Sequence, residues 1–161
     1  MSWTYKNQEI TDITQLPENT YGFVYINTHT PTGKAYIGKK ILQFTKKVKI
    51  GKKELAKLQG VVGRRPSYKL SIKESDWKTY YGSQKDIKQL LSEGKKDEFE
   101  RIILKCVPTK KALTYFELKY QMVYQVLEKP DEFFNDNILG KFFTKDLTDI
   151  EYEDPLEIKK H

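Results

Sequence analysis

Two short segments, Tyr21-Gly-Phe-Val-Tyr-Ile-Asn27 and Lys34-Ala-Tyr-Ile-Gly38, set the architecture that this sequence predicts. Both are rich in β-branched and aromatic residues, which favour extended strands. Residues 28–33 between them contain a proline and a glycine, so we expect a turn that joins the two strands into a hairpin. Tyr25 and Tyr36 then lie on neighbouring strands.

The chain after this hairpin predicts two helices and one further strand. Residues 84–93 indicate a short helix that ends at Gly94, because glycine readily adopts the left-handed conformation of helix C-termini. The apolar run 99–106 predicts a buried strand. A longer helix should run from Thr109 to about Leu127, where apolar residues recur at helical spacing. The predicted fold class is α+β, with a small mixed or antiparallel sheet flanked by helices.

A single domain of residues 1–143 is the expected organisation, because a chain of 161 residues has room for one core. A basic insertion of about residues 41–75 follows the second strand. Its glycines and proline predict irregular hairpins or a loop. Residues 144–161 form an acidic C-terminal tail.

The positive charge of the chain is concentrated in the basic insertion. Between Lys39 and Lys73, twelve lysines and arginines oppose one acid, Glu54, which gives +11. The formal net charge of the whole chain is +7, so the remaining residues sum to −4. Such a segment attracts polyanions through Coulomb forces and counterion release. Charge alone leaves open a nucleic acid, an acidic membrane or a solvated loop.

The sequence also excludes several kinds of site. Cys106 is the only cysteine, which leaves it without a disulfide partner in the chain. His29, in the predicted turn, and His161 are the only histidines, so a metal should be a hard cation bound through oxygen. No apolar run reaches the roughly 18–20 residues of a membrane helix, and no signal peptide is visible. We therefore expect a cytoplasmic protein that does not enter a membrane.

The predicted hairpin resembles that of the GIY-YIG nuclease family, whose members carry Gly-Ile-Tyr and then Tyr-Ile-Gly. Here Phe23-Val-Tyr25 takes the place of the first motif, with Gly22 one residue early, and Tyr36-Ile-Gly38 matches the second. The family's metal-binding glutamate, on the helix after its third strand, corresponds to Glu117. Its asparagine follows an aromatic residue and corresponds to Asn135, although asparagines at such positions can also be simple turn formers.

The likeness is closest to phage-encoded, homing endonuclease-like members whose second motif runs Tyr-Ile-Gly-Lys-Lys. Here that is Tyr36-Ile-Gly-Lys-Lys40, and the chain continues after the basic insertion with Ser75-Asp-Trp-Lys78 and Tyr80-Tyr-Gly-Ser83. The resemblance implies a metal-dependent endonuclease that hydrolyses DNA phosphodiester bonds with one Mg²⁺ or Mn²⁺ ion. If the protein is phage-encoded, it would act in the host-cell cytoplasm.

The resemblance also implies catalytic roles for single residues. Tyr25 would be the general base to the attacking water, Tyr36 would help to hold water and phosphate, and Glu117 would bind the metal. A phenol with its usual pKa near 10 is a poor base at neutral pH unless cations lower that pKa. Lys39 or Lys40 should therefore lie close to the tyrosines.

One departure from the family concerns the phosphate-binding cation. Many members carry an arginine on their first helix, where this chain has residues 44–47 of the basic insertion. Lys40 is the first candidate to replace it, with Lys78, Arg64 and Arg65 behind, although a lysine cannot supply the bidentate fork of arginine. Trp77 and Tyr80 can pack in the core or stack on DNA, and Trp77 is expected in the core.

We predict that the basic residues of the insertion and its surroundings contact DNA, expected to be double-stranded. The residues concerned are Lys39, Lys46, Lys47, Lys49, Lys52, Lys53, Arg64, Arg65 and Lys78. The displaced glycine and the missing arginine favour one alternative, a catalytically inactive nucleic-acid-binding protein on the same fold. A restriction nuclease or a nuclease that degrades host DNA would share the chemistry. The sequence leaves the oligomeric state open.

Overall fold

The computed structural model describes residues 1–51 and 68–154. The described α-helices are α1 (Lys85–Ser92) and α2 (Lys110–Val123). The strands are β1 (Trp3–Tyr5), β2 (Gln8–Ile10), β3 (Gly22–His29), β4 (Lys34–Ile41), β5 (Gln43–Lys49), β6 (Tyr68–Glu74), β7 (Phe99–Val107), β8 (Asn137–Ile138) and β9 (Phe142–Phe143). Five strands form one sheet in the order β2-β1-β7-β3-β4, while β5 pairs with β6 and β8 with β9. The predicted α+β class is confirmed.

The β3–β4 hairpin forms one side of the sheet, as the sequence predicts. The ladder between these strands continues to His29, so the prediction of His29 in the turn was wrong. On its other side β3 pairs antiparallel with β7, and the register shifts between Val24 and Tyr25, leaving Leu104 as the extra residue. Such a β-bulge re-aims neighbouring side chains. The parallel pairing of β1 with β7 makes the sheet mixed.

Each face of the sheet carries its own apolar cluster. The first cluster contains Phe23 and Tyr25 of β3 together with Trp3. The second contains Val24 of β3 and lies under α2, which contributes Leu113. Because successive side chains of a strand point to opposite faces, β3 supplies both clusters and is the central support of the fold.

The N-terminal hairpin of β1 and β2 was not predicted. Each of these strands has three residues, too few to show an alternating pattern. The hairpin is held by tertiary contacts, because the Trp3 indole donates a hydrogen bond to Trp77 O at 2.6 Å. The same indole meets the Phe23 ring edge-on, with centroids 4.9 Å apart. Trp3 thus helps to enclose the phenylalanine that stands where the family has glycine.

Helix α2 ends at Val123, so the predicted end near Leu127 was wrong. Gln125 has a φ of 57°, a left-handed conformation that a helix cannot continue through. The chain then turns Val126 and Leu127 into the core, whereas Val123 is 57% exposed. Apolar spacing misplaced the boundary because the last core residues come from a turn and not from the helix.

The basic insertion, for which the sequence leaves irregular hairpins or a loop open, begins and ends as a regular antiparallel ribbon of β5 and β6. Lys52, Lys53, Arg64 and Arg65 lie outside the described residues. Beyond β9, Leu147 packs against the cluster under α2. The domain boundary at residue 143 stays a prediction. None of the helices within residues 1–51 and 68–154 is long and apolar enough to cross a membrane.

Arg101 of β7 is a buried cation that ties separate chain segments together. Its guanidinium donates to Met1 O, to Lys78 O at 3.1 Å and to Tyr80 O at 2.7 Å. It also stacks on the ring of Tyr81, 3.9 Å from the ring centre. Burial lowers the pKa of Arg101, and the carbonyl dipoles stabilise its charge. Arg101 therefore fixes the segment that carries Tyr80.

Replacing Arg101 by methionine should lower the free energy of unfolding by about 3 kcal/mol, because three carbonyls lose buried donors. Urea denaturation followed by tryptophan fluorescence measures this change. Lys105→Met, on the same strand, is the matched control and should cost less than about 1 kcal/mol. Equal losses in the two variants would contradict this role of Arg101.

Candidate active site

Tyr25 and Tyr36 meet on one face of the sheet, with ring centroids 6.2 Å apart. The hairpin register explains the meeting, since Tyr25 lies opposite Gly38 and Tyr36 opposite Asn27. Tyr25 is 1% exposed, whereas Tyr36 is only partly buried. Tyr36 also borders a cleft at the N-terminus of α1. The pair therefore has one enclosed phenol and one that a ligand can reach.

Gly38 leaves the space in which the two phenols lie. A Cβ atom at this position would be 2.7 Å from Tyr36 Cε1 and 2.8 Å from Tyr25 Oη, closer than side chains approach. Gly22, the displaced glycine of the first motif, has a different task. A Cβ atom there would be 2.7 Å from Leu113 Cδ2, so Gly22 allows α2 to approach the sheet. The two glycines thus serve opposite faces.

Tyr80 is a third phenol of the site, and this position was not predicted from the sequence. The rings of Tyr25 and Tyr80 are perpendicular with centroids 6.1 Å apart, and the Tyr80 side chain is one of the groups that raise the pKa of Tyr25. Lys40 Nζ lies 3.9 Å from the centre of the Tyr80 ring and 2.6 Å from Asp76 Oδ1. Lys40 therefore lies next to Tyr80, which in turn lies next to Tyr25. The Tyr80-Tyr-Gly-Ser83 motif could have pointed to Tyr80 as a site residue. In the sequence it served only as part of the resemblance to the family.

Glu117 enters the site from α2 at the outer edge of β4. Lys39 Nζ lies 3.8 Å from Glu117 Oε1, and the backbone of Lys39 also helps to lower the pKa of the carboxyl group. Lys39 Nζ also donates to Thr114 Oγ1 at 3.0 Å. Burial raises the pKa of Glu117, while Lys39 opposes that shift. The carboxylate charge is thus only partly compensated by the protein.

Asn135 adjoins the site but faces the backbone of β4. Its Oδ1 accepts from Ile37 N at 3.0 Å, and its Nδ2 donates to Ile37 O at 2.9 Å. Gln121 of α2 donates to the same Ile37 carbonyl at 3.0 Å. The structure therefore places Asn135, which is buried, as a support for the strand between Tyr36 and Gly38.

The electrostatics of the site keep both paired phenols protonated. Burial raises the pKa of Tyr25 well above 10, and the neighbouring phenols and Glu117 raise it further. Burial and the charge of Glu117 raise the pKa of Tyr36 to about 12. Additional positive charge is needed before either phenol can accept a proton.

A metal at this site would have to be held largely by one carboxylate. Within residues 1–51 and 68–154, no group of three or more His, Cys, Asp or Glu side chains could hold a metal ion. Glu117 has a side chain only 15% exposed and an under-compensated charge. Mg²⁺ commonly binds through one or two carboxylates and keeps several water ligands. The residues present therefore fit a single Mg²⁺ or Mn²⁺ ion at Glu117.

The predicted DNA-contacting lysines are divided between the site and the ribbon. Lys39 lies at Glu117, whereas Lys46, Lys47 and Lys49 are exposed on β5. Lys78 is exposed beside Glu74, with 3.8 Å between Nζ and Oε1. Among the described residues the arginine is Arg101, which is occupied by backbone carbonyls. Lys40 is thus the described cation best placed to act on the tyrosines.

Gly38→Ala should disrupt the phenol pair, because the added methyl group would overlap both rings. We expect the variant to lose about 2 kcal/mol of stability and most DNA cleavage. Thermal unfolding and a nicking assay measure the two effects. Gly51→Ala, where a Cβ atom meets nothing within 4 Å, is the control and should change neither. Full activity in Gly38→Ala would contradict the close packing of the phenols.

The raised pKa of Tyr36 makes stability depend on alkaline pH. The folded state keeps the Tyr36 proton until about pH 12, whereas an unfolded tyrosine loses it near 10. Stability is therefore complete below pH 10 and falls above it, by about 1.4 kcal/mol per pH unit. Tyr36→Phe should flatten this fall, while Tyr115→Phe, at an exposed position on α2, should not. Denaturation series at alkaline pH measure the slopes, and identical slopes in wild type and Tyr36→Phe would refute the shift.

Comparison with known proteins agrees with this geometry. The chain matches the family model described as "Putative endonuclease segE, GIY-YIG domain" over residues 3–138. No curated protein and no solved structure gives a significant match. The matched region includes both tyrosines, Lys40, Glu117 and Asn135. Because the match spans most of the chain, the protein belongs to the GIY-YIG nuclease family.

Proposed function

We propose that the protein is a metal-dependent DNA endonuclease that hydrolyses phosphodiester bonds at the Tyr25–Tyr36 site. The observation that carries this proposal is the convergence of three groups from separate elements. Tyr25 of β3, Tyr36 of β4 and Glu117 of α2 lie close enough for the carboxylate charge to raise the pKa of both phenols. The negative charge of the carboxylate destabilises both phenolates. A cation bound next to all three groups would remove this repulsion.

The chain's own residues would act on the water and the phosphate. Tyr36 borders the open cleft and would donate a hydrogen bond to a phosphate oxygen. Once positive charge has lowered its pKa, Tyr25 would release its own proton to solvent and, as a phenolate, accept the proton of the attacking water. Lys40, which contacts the Tyr80 ring, supplies part of that charge. Tyr80, whose ring contacts both Lys40 Nζ and the Tyr25 ring, would hold that charge close to Tyr25.

Glu117 would hold one Mg²⁺ or Mn²⁺ ion, with Lys39 as its neighbour. When bound, the ion would stabilise the leaving oxygen and lower the pKa of the nearby phenols. Asn135 would contribute by holding β4 in place, because its amide is committed to the Ile37 backbone.

We further propose a homing endonuclease-like role, supported by the likeness of the motifs to those of phage-encoded members. Restriction or degradation of host DNA would use the same chemistry. The inactive DNA-binding alternative is favoured by the buried, protonated Tyr25 and by the occupation of Arg101. A single chain with one site would nick DNA, so double-strand cutting would require two chains or two successive events.

The test is a plasmid assay with Mg²⁺, with Mn²⁺ and with EDTA. The wild-type protein should nick supercoiled DNA only when the divalent ion is present. Tyr25→Phe and Glu117→Ala should each lower the nicking rate by at least about 100-fold, while the dissociation constant for DNA changes less than about twofold. Gel electrophoresis measures nicking, and fluorescence anisotropy measures binding.

The matched controls are Tyr115→Phe on α2 and Glu100→Ala on β7, both at exposed positions, and they should retain full nicking. Undiminished cleavage by Tyr25→Phe would remove that residue from the mechanism. Equal nicking with and without EDTA would refute the metal dependence. Binding without nicking under every metal condition would establish the inactive alternative.

A further inference from the structure

The β5–β6 ribbon projects both of its faces into solvent. Six of the seven β5 residues are exposed, and so are residues 69–74 of β6. A two-stranded hairpin has little stability of its own in water. Because the ribbon nevertheless pairs continuously over seven cross-strand positions, we expect a ligand to cover and stabilise it.

One face of the ribbon combines apolar and basic side chains. Residues that lie opposite each other share a face, and Leu70 faces Lys47 while Ile72 faces Thr45. Leu70 is 71% exposed and Ile72 is 72% exposed, so two adjoining aliphatic side chains meet water. Lysines are present on both faces of the ribbon, and Glu74 is the only acid in its described strands.

The base of the ribbon is fixed at the candidate active site. Leu42, the residue between β4 and β5, is fully buried, and its carbonyl accepts from Ser75 N at 2.8 Å. The next residue, Asp76, pairs with Lys40 of the site. A molecule bound at Lys40 and Tyr36 would therefore extend alongside the ribbon.

The identity of that molecule rests on the proposed function, which makes it DNA. The lysines match its phosphates, and the major groove, about 12 Å wide, admits a two-stranded ribbon. Seven residues per strand span roughly 24 Å, most of a helical turn of DNA. Exposed aliphatic side chains have a partner there, because thymine places its methyl group in the major groove.

We propose that the β5–β6 ribbon enters the major groove of the DNA substrate. Leu70 and Ile72 lie against thymine methyl groups, and the flanking lysines contact phosphates. The ribbon thus selects the sequence beside the bond that the tyrosine site cuts. Duplex RNA would be rejected, because its major groove is too deep and narrow for side chains to read.

The test compares DNA fragments amplified with thymine or with uracil, which lacks the methyl group. Binding is measured by anisotropy in Ca²⁺ at one fixed salt concentration, so that cutting does not enter. Wild-type protein should bind the thymine fragments roughly fivefold more tightly. Leu70→Ser/Ile72→Ser should bind both fragments alike, whereas Phe44→Ser, on the opposite face, should keep the preference. Thermal unfolding confirms that each variant is folded.

Several results would overturn the assignment. Wild-type protein that binds both fragments equally would refute it, as would a double variant that keeps the thymine preference. Displacement by the minor-groove ligand netropsin, with no effect of bulky glucosylated cytosines in the major groove, would also refute it. So would a double variant that loses binding to phosphatidylserine vesicles while its DNA binding is unchanged.

The plasmid assay separates this inference from the proposed function. Thymine-dependent binding without any nicking would refute the endonuclease and leave the ribbon as a DNA reader. Nicking without thymine-dependent binding would refute only the ribbon assignment.

Discussion

The closed outer edge of β4 is the constraint on which the candidate site depends. Three backbone N–H groups of this edge strand point away from β3, and an exposed edge would leave them unpaired. Ala35 N donates to Glu132 O and Ile37 N donates to Asn135 Oδ1, while the backbone of Lys39 lies beside the Glu117 carboxylate. Glu117 and Asn135 therefore lie along the outer edge of the sheet. This brings α2 and the segment after it next to the tyrosine motif, so the structural role and the proposed chemical role require the same placement.

The parts of the fold that follow from local pattern could be predicted from the sequence. The β3–β4 hairpin places Tyr25 and Tyr36 together through its own turn and register, and no distant contact is needed. The start of α2 also follows locally, because the Thr109 side chain accepts a hydrogen bond from Ala112 N. Glu117 was placed by family likeness, and the described geometry brings it to the tyrosines.

The parts that depend on distant contacts could not be predicted in this way. The β1–β2 hairpin exists because β7, about a hundred residues later, pairs with β1 and because Trp3 enters the core. The end of α2 depends on how Val126 and Leu127 reach that core from a turn. Tyr80 joins the site because Arg101 holds its carbonyl, a contact that no spacing in the sequence encodes.

The chemistry of the site turns on the supply of positive charge. Burial keeps Tyr25 protonated, and Glu117 adds a negative charge that makes its ionisation harder still. That arrangement opposes general-base catalysis unless cations arrive on both sides of the phenol. Lys40 lies on the Tyr80 side of the phenol, and Asp76 partly neutralises its charge. Glu117 could bind a divalent ion on the other side. The net charge there would then become positive and would lower the pKa of both phenols instead of raising it. A site built in this way would stay inactive until metal and phosphate are present together, and a lysine acting through a phenol would take over part of the role of the missing arginine.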